Sequence, residues 1–100
     1  MVSAGSLLAR RSPSRAAIYA HMVADPSREW SIGELHQELA DAGVSAESAR
    51  AVVYLLLDAR IVELVRGRRR LTVKLAACAA DHLRQVIGHW SSAQADRAAS

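Results

Sequence analysis

Phenylalanine is missing from this 100-residue chain, and with only two Trp and two Tyr its core cannot rest on large rings. The 51% hydrophobic content is carried mostly by small side chains, twenty of them alanine, which points to a thin, helix-built core rather than an extensive sheet. Cysteine occurs once, at Cys78, so an internal disulfide is excluded, and no CxxC pair or Cys/His finger spacing exists for a structural zinc. A reducing, cytoplasmic location fits that usage. No apolar run approaches the roughly 20 residues that a membrane span requires. Met1–Ala9 has no basic residue ahead of its short apolar run, so neither a signal peptide nor an anchor is expected. Also missing are a phosphate-cradling glycine loop and any local nucleophile–base pair, and the acidic residues are scattered. An enzyme is therefore not expected, nor a cofactor.

Lysine is nearly absent as well: twelve of the thirteen cations are arginine. The net charge of +3 is modest, but Arg66, Arg68, Arg69 and Arg70 lie within five positions. That clustering matters more than the total, because local positive density is what a phosphate backbone feels.

Residues 1–11 show no sustained period and read as a flexible arm. Ser12-Pro13 is a cap followed by a first-turn proline, opening a helix over 13–24 whose stripe is Ala17 or Ile18 with Met22 and Val23. Asp25-Pro26 ends it, since the residue before proline is pushed out of the helical region. Ser27–Trp30 is a short link with room for one extended rung at Trp30. Ser31-Ile32-Gly33-Glu34 is a capping box for a second helix with Ile32, Leu35 and Leu39 inward and Glu34, Gln37, Glu38 and Asp41 toward water. Gly43 is the expected left-handed terminator. Ser45 caps a third helix over 46–59, with Ala49, Val52, Val53, Leu56 and Leu57 in its apolar band. Two helices around a short glycine turn make the helix-turn-helix pattern.

After Arg60 the period changes to two. Ile61–Val65 and Leu71–Leu75 read as a β-hairpin around Arg66-Gly67-Arg68-Arg69-Arg70, with Gly67 supplying a positive φ. Residues 76–95 are helical again, and Ala79, Leu83, Val86, Trp90 and Ala93 fall on a heptad seam broadened by Ile87. One helix does not bury such a seam alone, so a second copy across a two-fold axis is expected to cover it. Residues 96–100 are expected to be a disordered tail.

Helix, helix-turn-helix, hairpin, helix resembles the winged helix-turn-helix regulators of bacteria, the ArsR-, MarR- and PadR-like groups, over roughly 12–90. The residues carrying the resemblance are Ser31-Ile32-Gly33-Glu34-Leu35, Ala42-Gly43-Val44-Ser45, and Leu56-Leu57-Asp58-Ala59-Arg60-Ile61-Val62-Glu63 leading into Gly67-Arg68-Arg69-Arg70-Leu71. Arg60 stands where those families have glycine, which predicts strain or a differently built helix end. The resemblance implies a mainly α fold with a small β-hairpin: a winged helix-turn-helix domain over 12–75 and a dimerisation helix over 76–95, with Ala79, Leu83, Val86, Ile87 and Trp90 at the dimer interface.

It further implies double-stranded DNA as partner, a homodimeric transcriptional repressor as function, and a nucleoid-associated location. The third helix becomes the recognition helix, presenting Ser45, Ala46, Glu47, Ser48, Arg50, Ala51 and Tyr54. Arg50 has the fork to satisfy guanine O6 and N7 together, Ser48 suits a phosphate or base edge, and Glu47 either accepts from cytosine N4 or only favours the helix N-terminus. Arg66, Arg68, Arg69 and Arg70 lie on the backbone or enter a minor groove; the bland reading is a solvated tip. Cys78 and His82 at i, i+4, with Asp81 and His89 nearby, have metal-site spacing, but an ordinary thiol and ordinary imidazoles are expected, with no metal. Trp30, Trp90 and Tyr19 read as core filler rather than a small-molecule pocket. The main rival is a winged helix acting as a protein-interaction module, marked by exposure of Val53 or Leu55 in the apolar run 52–57. A plasmid or phage replication or partition protein shares every residue argument.

Overall fold

Ser12 starts the first helix: its hydroxyl accepts from the Arg15 amide at 3.1 Å, and Pro13 takes the first-turn position where no N–H is needed. The computed structural model describes residues 10–99, with side chains through Ser91. Helix α1 covers Pro13–Ala24 and β1 Glu29–Ser31. Helix α2 covers Ile32–Leu39 and runs into a 3-10 turn, Ala40–Ala42. Then come α3 (Ala46–Asp58), β2 (Val62–Leu64), β3 (Thr72–Leu75) and α4 (Ala79–Ala99). The fold is mainly helical with a small antiparallel sheet.

One detail departs from expectation early in the chain: the second helix tightens at Ala40–Ala42 before Gly43. The extended rung expected at Trp30 is present as β1, and it pairs into the sheet. The sheet therefore has three strands, ordered β1-β3-β2, rather than the two of a hairpin. Strand β3 sits in the middle, with Trp30 opposite Val73 on one side and Leu64 opposite Val73 on the other. That rung faces the core at Trp30 and Val73, while Glu29, Lys74 and Glu63 share the next rung on the outer face.

The capping box forms as the sequence predicts: Ser31 Oγ accepts from the Glu34 amide at 3.1 Å, and Glu34 Oε1 accepts from the Ser31 amide at 3.3 Å. Helix α2, through its 3-10 turn, and helix α3 end in the same way. At the first, the Gly43 amide donates to the Ala40 carbonyl and the Val44 amide to the Leu39 carbonyl. At the second, the Arg60 amide donates to the Leu57 carbonyl and the Ile61 amide to the Leu56 carbonyl. These are paired Schellman closures, with φ 86° at Gly43 and φ 62° at Arg60. The expected alternative, a differently built helix end at Arg60, is not used; the strained conformation is.

One core joins all elements: Ile18, Tyr19 and Met22 of α1, Trp30, Leu35, Val44, then Ala49, Val52, Val53 and Leu56 of α3, Val62, Val73 and Leu75 of the sheet, and Ala79, Leu83 and Trp90 of α4. Leu57 is only half-buried. Tyr19 and Trp90 stack with centroids 5.5 Å apart, and burial pushes the Tyr19 phenol up to about 12. The expected core-filler role of Tyr19, Trp30 and Trp90 agrees with their burial. Trp30 Nε1 is buried without a hydrogen-bond partner among the described residues.

The seam on α4 needs correcting. Ala79, Leu83 and Trp90 are buried within the chain, because α1 packs along α4. Those three positions are covered within the chain, and the reason for invoking a second copy at them disappears. Val86 and Ile87 stay half-buried; Ala93 and residues 1–9 of the expected arm lie outside the described residues or side chains. Helix α4 also continues to Ala99, where residues 96–100 were expected to form a tail.

Candidate nucleic-acid interface

Helix α3 buries Ala49, Val52, Val53 and Leu56, so the opposite positions are turned outward by the 3.6-residue period. Glu47, Arg50, Ala51, Tyr54 and Asp58 are exposed along that face, Tyr54 at 49%. The face carries one cation, Arg50, against two anions, Glu47 and Asp58, and has no positive excess of its own. Ser45 is occupied with capping: its Oγ accepts from the Ser48 amide at 3.1 Å and donates to Ser48 Oγ at 3.0 Å. Ser48 therefore keeps a hydroxyl proton to donate outward, whereas Ser45 has its proton committed. Of the two residues whose exposure would mark a docking face, Val53 is fully buried and Leu55 half-buried.

The β2–β3 turn is the electropositive element. Arg66, Arg68, Arg69 and Arg70 are all exposed, and Gly67 takes φ 80° to fold the tip, as its position predicts. The Val65 amide donates to the Thr72 carbonyl at 2.8 Å and the Thr72 hydroxyl to the Arg70 carbonyl at 3.0 Å, which holds the base of the turn. Leu64 to Leu71 line an open hollow of about 450 Å³. Leu64 is 52% exposed there. Arg68 donates from Nε and Nη2 to Glu29 Oε1 at 3.2 and 2.9 Å. Arg70 Nη1 lies 3.9 Å from the point where a Cβ on Gly33 would sit, at the start of α2.

Sequence reasoning missed Glu29 and the polar cluster behind it. Arg28 donates to both carboxylate oxygens of Glu38 and to Glu34 Oε2 at 3.3 Å, while His21 Nε2 meets Glu38 Oε1 at 2.9 Å. The Arg28 hydrogen bond, and after it that of His21, holds the Glu38 carboxyl down at about 2, and Glu38 in turn raises the Arg28 guanidinium. Arg28 also lies 5.7 Å from the centroid of Trp30. Glu34 and Glu38 are exposed, as their spacing predicts, but spacing within α2 says nothing of a cation on the preceding link. His36 donates from Nδ1 to the Val44 carbonyl at 3.1 Å.

Cys78 is not on the last helix. It precedes Ala79 at φ 66°, so the helical i, i+4 relation to His82 does not exist. Among the described residues no three His, Cys, Asp or Glu side chains are grouped to hold a metal, and no helix is long and apolar enough to cross a membrane. The chain matches no known family model, no curated protein and no solved structure.

Proposed function

We propose that the chain is a winged helix-turn-helix DNA-binding protein, with α3 in the major groove and the β2–β3 turn as a wing on the backbone or in the minor groove. One observation carries this reading. Arg66, Arg69 and Arg70 stand exposed, without a carboxylate partner among the described residues, on a turn that follows α3 in the order α-β-α-α-β-β-α. Uncompensated guanidinium charge is what a duplex backbone binds, with release of its counterions.

The two elements divide the work. With one cation against two anions, α3 adds no net attraction, so affinity comes from the wing and sequence choice from Arg50, Ser48 and Glu47. Promoter occlusion by a homodimer on an inverted repeat, with half-sites about one helical turn apart, remains part of the proposal. Val86 and Ile87, half-buried on α4, are what is left of the predicted seam for such a contact among the described side chains. The interaction-module alternative keeps only Leu55, half-buried, of the two residues that would mark it, since Val53 is buried.

The test is fluorescence anisotropy of the full chain on a mixed-sequence duplex at about 50 and 200 mM salt. Binding at low salt that falls steeply at high salt is expected. The Arg66→Ala, Arg69→Ala, Arg70→Ala triple variant should lose affinity for every sequence. Arg50→Ala should instead relax preference at one selected base pair by about 1–3 kcal/mol. No binding at the lower salt overturns the proposal.

A further inference from the structure

The four wing arginines are not equivalent. Arg68 alone among them is tied down, by its two hydrogen bonds to Oε1 of Glu29. Glu29 stands on the outer sheet rung with Lys74 and Glu63, where two carboxylates flank one ammonium. Arg68 adds the second cation, so the rung closes neutral. Arg66, Arg69 and Arg70 have no such counter-charge among the described residues.

Resting on the duplex-binding reading above, we propose that Glu29 withholds Arg68 from the nucleic acid. The wing then engages phosphates through Arg66, Arg69 and Arg70, and Glu29 limits both its affinity and its salt dependence. A phosphate reaching Arg68 has to displace a carboxylate already held nearby by the fold, at intramolecular effective concentration. That exchange trades one exposed ion pair for another and yields little, whereas each of the three free guanidinium groups makes a new pair. Removing the Glu29 charge converts Arg68 into a fourth phosphate contact.

The experiment is anisotropy of the full chain on a mixed-sequence duplex of about 30 base pairs, across about 50–200 mM salt. Glu29→Gln keeps the shape of an exposed side chain and is expected to melt with the wild type. It should bind more tightly at low salt, with a log–log salt slope steeper by about 0.9, so that a fourfold rise in salt weakens it about 3.5-fold more than the wild type. Arg68→Ala should change wild-type affinity by about twofold or less, yet abolish the gain when combined with Glu29→Gln. Equal slopes overturn the inference. So does weaker binding by Glu29→Gln, which makes Glu29 a positioning residue for Arg68, or an Arg68→Ala loss in the wild type as large as that of Arg69→Ala. Absence of binding by the wild type at about 50 mM salt is a different result: it removes the duplex reading, and this inference with it.

Discussion

Replacing Arg60 with glycine is expected to stabilise the protein, and the structure supplies its own control. Arg60 and Gly43 occupy the same position of the same closure, each at a positive φ with matching 6→1 and 5→2 hydrogen bonds. A Cβ in the left-handed region costs about 1–2 kcal/mol, while glycine returns about 0.4–1 kcal/mol of that by loosening the unfolded chain. Arg60 is exposed and has no side-chain hydrogen bond or ion pair among the described residues to lose. The net gain is about 0.5–1 kcal/mol, or a rise of about 3–6 °C in Tm for a domain of this size. Gly43→Ala makes the reciprocal change: nothing lies within 4 Å of the added Cβ, so its whole cost is backbone strain, again about 1 kcal/mol. Far-ultraviolet circular dichroism during thermal and urea unfolding reads both. Arg60→Ala, which keeps its Cβ, should show no gain. If Arg60→Gly melts at or below Arg60→Ala, the backbone at Arg60 is not a source of strain and the reasoning fails.

Other perturbations address the α1–α4 seam and the polar cluster. Leu83→Ala opens a cavity in a fully buried site and should cost about 2–5 kcal/mol in urea unfolding. Because Leu83 is buried within the chain, the loss relative to wild type should be the same at low and high protein concentration; a loss that changes with concentration would place Leu83 in a contact between copies. The Glu38 carboxyl is held at about 2 by Arg28 and His21. A depressed folded pKa gives stability that is complete above the unfolded value near 4.3 and is lost as pH falls toward 2. Glu38→Gln should therefore reduce stability at pH 7 and flatten the acid limb between about pH 5 and 2, an effect kept small by solvent exposure. An unchanged acid limb would mean that the pair contributes nothing to folding.

Much of the backbone plan could be read from residue order. Ser12-Pro13, Asp25-Pro26, the Ser31–Glu34 box and Gly43 are local signals whose physics needs no partner, and each acts where the sequence puts it. Strand β1 was only half visible, because three residues are too few to show a period and its pairing partner lies far along the chain. The α4 seam was legible as a seam, but periodicity marks an apolar face without saying what covers it, and α1 does. Glu29 and the Arg28–Glu38 cluster escaped for the same reason: ion pairs between separate elements leave no spacing signature. Of the candidate interface, the exposure of Arg50, Tyr54 and the arginines of the β2–β3 turn follows from helix period and turn chemistry, while the tether on Arg68 does not.

Strand β1 lies between the first two helices of the chain, yet it is zipped to β3 near the far end, and α1 leans on α4 in the same fashion. The two halves are thus interlaced rather than placed side by side. A cut between α3 and β2 would leave each fragment with an unsatisfied sheet edge and a bared helix face, so neither half is expected to fold until it finds the other.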